Sequence, residues 1–312
     1  MNPTLDTLRQ WSEAGWLRRL DSALAAFVAE LDPQAQPALL VTTALLAHME
    51  GRGHTCLPLA PLVRDPAAVL GWPAPAQEAL QALWATLPRG LPQWLEALRA
   101  SPVVRQAEQG DDTGQPLVLG GSAEAPLLYL RRYWAYETRV VQALAQRTAT
   151  PQPVDEAVAR QWLDRLFAPA AGAPPAGRGV DWQKLACALA TRSAFSIITG
   201  GPGTGKTTTT ARLLVLLVAQ ALHAGRASPR IALAAPTGRA AERMAESVRQ
   251  AVQALAAMGV DADLLAALPT SGTTLHRLLG TIPDSPRFRH DGDNPLPFDV
   301  VVVDEASMID LP

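Results

Sequence analysis

The stretch GGPGTGKTTTT, residues 200–210, decides how the second half of this chain reads. Gly200, Gly205, Lys206 and Thr207 fit the pattern G-x-x-x-x-G-K-[ST]. The flanks carry the required context: apolar FSIITG (195–200) predicts a buried strand, and TTTTARLLVLLVAQAL (207–222) predicts a long helix. Glycines let such a loop curl until successive N–H groups point inward at phosphate oxygens, and the helix N-terminus adds partial positive charge. Lys206 is placed to reach the β- and γ-phosphates, and the Thr207 hydroxyl to hold Mg2+. ATP and Mg2+ are therefore the expected cofactors. Gly200, Gly201, Pro202, Gly203, Thr204, Gly205, Lys206, Thr207 and Thr208 are the expected nucleotide contacts.

Lysine occurs only at Lys184 and Lys206, in a chain whose other basic residues are all arginine. A lysine inside the glycine loop of so lysine-poor a sequence points to a role a planar guanidinium does not fill.

Outward from the loop, strands alternate with helices. RIALAAPT (230–237) reads as a strand, GRAAERMAESVRQAVQAL (238–255) as a helix and FDVVVVDEAS (298–307) as a third, fully buried strand. Such βαβ alternation predicts a parallel sheet with covered faces. Asp304 and Glu305 then emerge at a C-terminal strand end, where such sheets bind ligands. Asp304 is the expected second Mg2+ residue and Glu305 the expected activator of water. Gln183, in VDWQKLACAL (180–189), opens an amphipathic helix, and its amide has the donor and acceptor that adenine requires.

Residues 1–150 read as a mostly helical domain. Leu17, Leu20, Leu24, Phe27, Val28 and Leu31 fall at helical spacing, and ALLVTTALLAHM (38–49) is a second apolar helix. Shorter helices follow near 76–86 and 92–100. Strands are expected at PLVLG (116–120) and PLLYL (126–130), then a helix over 131–148. Residues 151–179 form a linker with one short helix, ending in Pro/Gly/Ala-rich APAAGAPPAGRG (168–179). Residues 180–312 form the phosphate-loop domain, incomplete at its C-terminal side.

The net charge of −2 gives no overall basic signature, although one local groove is enough to hold a nucleic acid strand. Cys56 and Cys187 make no disulfide framework, and His54 with Cys56 makes at most half a metal site. The first residues lack a signal-peptide pattern and no long apolar run occurs, so a cytoplasmic protein without a membrane segment is expected.

Four ordered stretches, GGPGTGKTTT (200–209), APTGRAAERM (235–244), TLHRLLG (274–280) and VVVDEASMID (301–310), together resemble the superfamily-1 DNA helicases, and most closely their RecD branch. DWQKLA (181–186) is similar to that family's adenine-reading glutamine motif, and GHTCLPL (53–59) and YLRRYWAYE (129–137) extend the likeness to the first half. The resemblance implies a RecA-like domain behind a helical docking domain. It implies an ATP- and Mg2+-driven 5′-to-3′ translocase on single-stranded DNA at duplex ends. It also implies partnership with RecB and RecC subunits in double-strand-break repair and recombination, with the complex's nuclease centre residing in RecB. Pro236, Thr237, Gly238, Arg239, Thr273, Thr274 and His276 are implied as DNA contacts. A second RecA-like domain with a γ-phosphate-sensing glutamine and arginines is implied beyond Pro312, so a piece of a longer polypeptide is expected. Two other readings share the loop and the acidic pair: an AAA+-type ATPase acting on protein, and a non-catalytic subunit of a repair complex.

Overall fold

The computed structural model describes residues 2–108, 112–168, 179–201, 203–285 and 287–310. They form two compact units divided between Val140 and Val141.

The first unit opens with α1 (Pro3–Glu13), α2 (Arg19–Leu31) and α3 (Pro37–Glu50). After α3 come β1 (Cys56–Pro58), α4 (Leu59–Arg64), α5 (Pro66–Leu70), α6 (Ala74–Trp84), α7 (Leu91–Arg99), β2 (Val104–Gln106), β3 (Leu117–Gly121) and β4 (Pro126–Leu130). α3 is apolar on every side and forms the centre of the core, with Leu39, Leu40, Leu45 and Leu46 buried around its circumference. Thr42 and Thr43 sit on that buried helix because their hydroxyls donate back to Ala38 O and Leu39 O at 2.6 and 2.8 Å. The strands form a sheet in the order β1-β4-β3-β2, antiparallel except for β2 with β3. The expected helices and the strands at 116–120 and 126–130 are present; β2, α4 and α5 are too short to carry a periodic signal.

A buried carboxylate ties α2 to α3. Asp21 accepts from Arg18 Nε at 2.9 Å and from the Arg18 backbone N–H at 2.8 Å, and lies 3.4 Å from His48 Nδ1. Trp72 Nε1 donates to His48 Nε2 at 3.3 Å, which leaves Nδ1 as the protonated nitrogen facing Asp21. Burial would push the Asp21 carboxyl up, but the hydrogen bonds from His48 and Arg18 outweigh it and hold it below the usual carboxylate range. A depressed folded-state value adds stability that is present above the unfolded value near about pH 4 and is lost as pH falls through the folded value. Asp21→Asn is therefore expected to cost about 2 kcal/mol at pH 7. Urea unfolding at pH 7 and pH 3 checks this: the gap between wild type and variant should narrow at pH 3, and an unchanged gap counts against the ionic origin.

The boundary between the units lies within α8 (Arg131–Ala149). The second unit continues with α9 (Glu156–Leu166), α10 (Trp182–Thr191), α11 (Lys206–His223), β5 (Ile231–Ala235), α12 (Gly238–Ala257), α13 (Ala262–Ala266), β6 (Gly272–Thr274), α14 (Leu275–Leu279) and β7 (Val300–Val303). β5 is wholly buried and central in a parallel sheet ordered β6-β5-β7. The register pairs Ile231 with Val300 and Ala235 with Thr274. Arg230 and Asp299 fasten the starts of β5 and β7, with Arg230 N–H donating to Asp299 Oδ2 at 2.8 Å. α11 packs on α10, α12 and α9, and its Leu214, Val215, Leu216 and Val218 are buried. α12 approaches β6 so closely that a Cβ at Gly272 would collide with Ala241 O.

Two expectations need correction. FSIITG (195–200) forms no strand and stays unpaired, with Ile197 74 % exposed. The valine strand is not fully buried either: Val301 is 39 % exposed. One physical cause covers both. A strand is made by its neighbours, and among the described residues β7 pairs only with β5, while Ile198 and β7 face a common cavity instead of another strand. Residues 169–178 of the expected linker lie outside the described residues. No helix among the described residues is long and apolar enough to cross a membrane.

Candidate nucleotide and nucleic-acid site

The glycine loop turns at Gly203 (φ +74°) and Gly205 (φ +79°), backbone angles that glycine adopts without strain. Pro202 lies outside the described residues. At Gly205 a side chain is also barred by space, because a Cβ there would stand 2.7 Å from Gln183 Nε2. Gly200 is similarly confined, with Thr204 Oγ1 2.6 Å from its would-be Cβ. Thr204 Oγ1 donates to Gly201 O at 2.9 Å and closes the turn.

α11 starts directly at Lys206, capped by Gly205 without a side-chain hydrogen bond and with no acid in its first turn. The N-terminal N–H groups, including those of Thr207 and exposed Thr208, thus make a site of positive potential for an anion. Lys206 folds back over the loop: Nζ donates to Gly200 O at 2.6 Å and to Gly201 O at 3.0 Å. The ammonium is thereby held at the loop mouth, bonded to carbonyls that an incoming phosphate would displace.

Asp181 caps α10 by accepting from the N–H groups of Gln183 and Lys184, both at 3.0 Å. That cap sets the direction of Gln183, whose Nε2 donates to Thr204 O at 2.9 Å. One amide hydrogen is committed to the loop; the other hydrogen and Oε1 remain for a ligand. Asp181 and the Gln183–Thr204 bond were missed from sequence, although Asp at the position before a helix was a readable capping signal.

On the facing side, Asp304 follows β7, its N–H donating to Ala234 O at 3.0 Å. Its Oδ1 accepts from the Glu305 N–H at 2.9 Å. Glu305 is exposed and left-handed at φ +54°, a strained conformation for a residue with a Cβ, of the kind that collects at functional sites. Lys206, Thr207, Asp304 and Glu305 line one cavity of about 1280 Å³ with Ile198 and β7. Residues about a hundred positions apart in sequence thus meet around one space.

The remaining candidates gather at the C-terminal ends of β5 and β6. Pro236 follows β5; Thr237 caps α12, accepting from Ala240 N–H at 3.2 Å; Gly238 and exposed Arg239 open that helix. Thr273 and Thr274 end β6, and Thr274 caps α14 by accepting from Arg277 N–H at 3.2 Å. A Cβ at Gly238 would lie 3.9 Å from Thr274 Cγ2, so the two groups adjoin. His276 is exposed, its ring centroid 5.9 Å from that of Phe288.

Neither cysteine adds chemistry. Burial pushes the Cys187 thiol up to about 12, and its Sγ lies 3.4 Å from Thr209 O. Among the described residues no group of three or more His, Cys, Asp or Glu side chains is arranged to hold a metal ion.

The family model described as RecBCD enzyme subunit RecD, N-terminal domain, matches residues 13–123, and one described as AAA domain matches residues 183–312. The chain is similar to the RecBCD enzyme subunit RecD of Mycolicibacterium smegmatis, 46% identical over 223 residues, covering 70% of this chain and 34% of that protein. It is also similar to the RecBCD enzyme subunit RecD of Mycobacterium tuberculosis, 37% identical over 305 residues, 97% of this chain and 45% of that protein. The ATP-dependent RecD2 DNA helicase of Deinococcus radiodurans is 36% identical over 113 residues, 36% of this chain and 12% of that protein. The chain therefore spans under half the length of these relatives. With an N-terminal domain of RecD type and a phosphate-loop domain in the order these relatives share, the chain belongs to the RecD family.

Proposed function

We propose that this chain is part of an ATP-dependent 5′-to-3′ single-stranded-DNA translocase, a cytoplasmic helicase subunit working with RecB- and RecC-type subunits on DNA ends in repair and recombination. The observation that carries the reading is the convergence of Lys206, Thr207, Asp304 and Glu305 on one cavity. In this reading Gly200–Gly205 and the first turn of α11 bind the phosphates, and Lys206 leaves the Gly200 and Gly201 carbonyls for the β- and γ-phosphate oxygens. Gln183 pairs with adenine through Oε1 and its second amide hydrogen, while the first ties base recognition to the loop at Thr204.

Thr207 and Asp304 offer hard oxygen ligands on the same cavity, a donor set that fits Mg2+. Bound there, the ion would neutralise charge on the β- and γ-phosphates. Glu305 accepts a proton from the attacking water. Thr237 and Thr274 use hydroxyl lone pairs for helix caps, leaving each O–H to donate to a DNA phosphate. Arg239 adds charge, His276 stacks on a base, and Pro236, Gly238 and Thr273 bring backbone close to the strand.

Calorimetric titration of Mg-ATP into wild type and Lys206→Gln tests the nucleotide half. Affinity should fall at least tenfold in the variant, since a charge-assisted phosphate contact contributes about 1.5–3 kcal/mol. Equal affinities would remove the basis for the assignment. Stimulation of turnover by single-stranded DNA separates this reading from an ATPase acting on protein.

A further inference from the structure

We propose that the ion pair between Asp164 of α9 and Lys184 of α10 sets the preference of the nucleotide site for adenine, by holding the helix turn that carries Gln183. Asp164 and Lys184 act through Gln183 and are positioning residues. The inference rests on the reading of Gln183 as the adenine contact and says what keeps its amide in place.

α10 is anchored unevenly. Its second half is held in the core by Cys187, Ala190 and Thr191, whereas its first turn buries no side chain. Helix ends without packing fray, and this one carries Gln183. Polar contacts hold the turn instead. The Asp181 cap fixes its backbone N–H groups, and Lys184 Nζ donates to Asp164 Oδ1 at 2.6 Å. Asp164 stands on a helix whose Leu163 and Leu166 are buried. The pair thus ties the loose end of α10 to a helix fixed in the core.

Helix stability does not account for this pair. A second one joins the same two helices at their other ends, Arg192 Nη1 donating to Glu156 Oε1 at 3.0 Å. Glu156 begins α9 and Arg192 caps the end of α10, so each charge sits where its helix dipole favours it. Asp164 and Lys184 are placed the other way round. The carboxylate is in the last turn of α9 and the ammonium in the first turn of α10, each opposed by its own helix. Their side chains are 64 % and 37 % exposed, and exposed pairs contribute little to stability. Residues chosen against local preference mark a functional constraint. Lys184 is also one of the chain's two lysines, the other being Lys206 of the glycine loop.

What the pair protects is the sense of an amide. Adenine offers an amine donor beside a ring-nitrogen acceptor, where guanine offers two acceptors. Gln183 distinguishes them only while its Oε1 and Nε2 ends keep their places, and the bond from Nε2 to Thr204 O at 2.9 Å keeps them. A frayed first turn releases that bond and lets the amide turn Nε2 toward a guanine oxygen.

The test titrates Mg-ATP and Mg-GTP into the full-length protein as wild type, Gln183→Ala, Asp164→Asn, Lys184→Ala and the charge swap Asp164→Lys with Lys184→Asp. Each single change in the pair is expected to lower the ratio of ATP to GTP affinity by about fivefold or more. GTP affinity and melting temperature should stay at wild-type values, since the phosphate contacts are intact and the pair is exposed. The swap restores the pair and suits both helix dipoles, so it should recover most of the ratio. A wild-type ratio in Asp164→Asn and Lys184→Ala overturns the proposal. Equal losses of ATP and GTP affinity also overturn it, because they assign the pair to general support of the loop, and so does a swap that recovers nothing. If wild type shows no preference for ATP, or Gln183→Ala keeps it, the reading of Gln183 fails and this inference falls with it.

Discussion

Replacing Glu305 with glutamine is expected to lower ATP turnover by roughly a hundredfold or more while leaving nucleotide affinity within about threefold. The substitution keeps the shape and removes the proton acceptor. Glu305 is exposed, follows β7 in a left-handed turn and lines the cavity shared with Lys206, and the proposed function gives it the polarisation of the attacking water. Its main anchor is its backbone N–H on Asp304 Oδ1, which glutamine retains. Loss should therefore appear in kcat, in contrast to Lys206→Gln, whose effect should appear in binding. Single-turnover hydrolysis by the full-length protein with single-stranded DNA, beside titration with a non-hydrolysable analogue, separates the two. A variant that loses affinity and turnover equally would assign Glu305 to binding, and one that loses neither would remove it from the mechanism.

Trp94→Ala should be the most destabilising single change in the first unit, by about 3–5 kcal/mol. The Trp94 ring is fully buried, stacked at 5.0 Å on Trp84, and its Nε1 donates to Thr42 Oγ1 at 2.8 Å. Truncation opens a ring-sized cavity beside α3. Thr42 is not orphaned, because its hydroxyl still donates to Ala38 O, so the cost is mainly packing. Trp182→Ala is the matched comparison: Trp182 is 73 % exposed and its removal should change stability by less than about 0.5 kcal/mol. Thermal melts of both variants decide it, and similar shifts would mean burial does not set the cost.

The site divides by how local its causes are. The loop, its lysine and the two caps Thr237 and Thr274 are local: glycines at positive φ, a lysine at the first helical position and a hydroxyl three residues before a free N–H need only near neighbours. The acids after a run of valines were readable for the same reason, since a strand end carries its next residues with it. The Lys206 back-bond and the Gln183–Thr204 bridge were not readable, because each depends on where a side chain lands across a turn it does not belong to.

The apolar pattern behaved differently. In α3 the apolar run is buried, because a helix apolar all round has no face left for water. In α2 the same kind of periodicity described two faces, and only packing against α1 and α3 chose which one went inside. FSIITG forms no strand and the valine strand is not fully buried, because a strand and its burial depend on the strands beside it. From the sequence by itself came the elements whose hydrogen bonds close within a few residues, together with the tight turns of the glycine loop. Tertiary structure alone decided which apolar face is core, which extended segment becomes a strand, and how residues a hundred positions apart come to share one cavity, since those outcomes depend on contacts between distant parts of the chain.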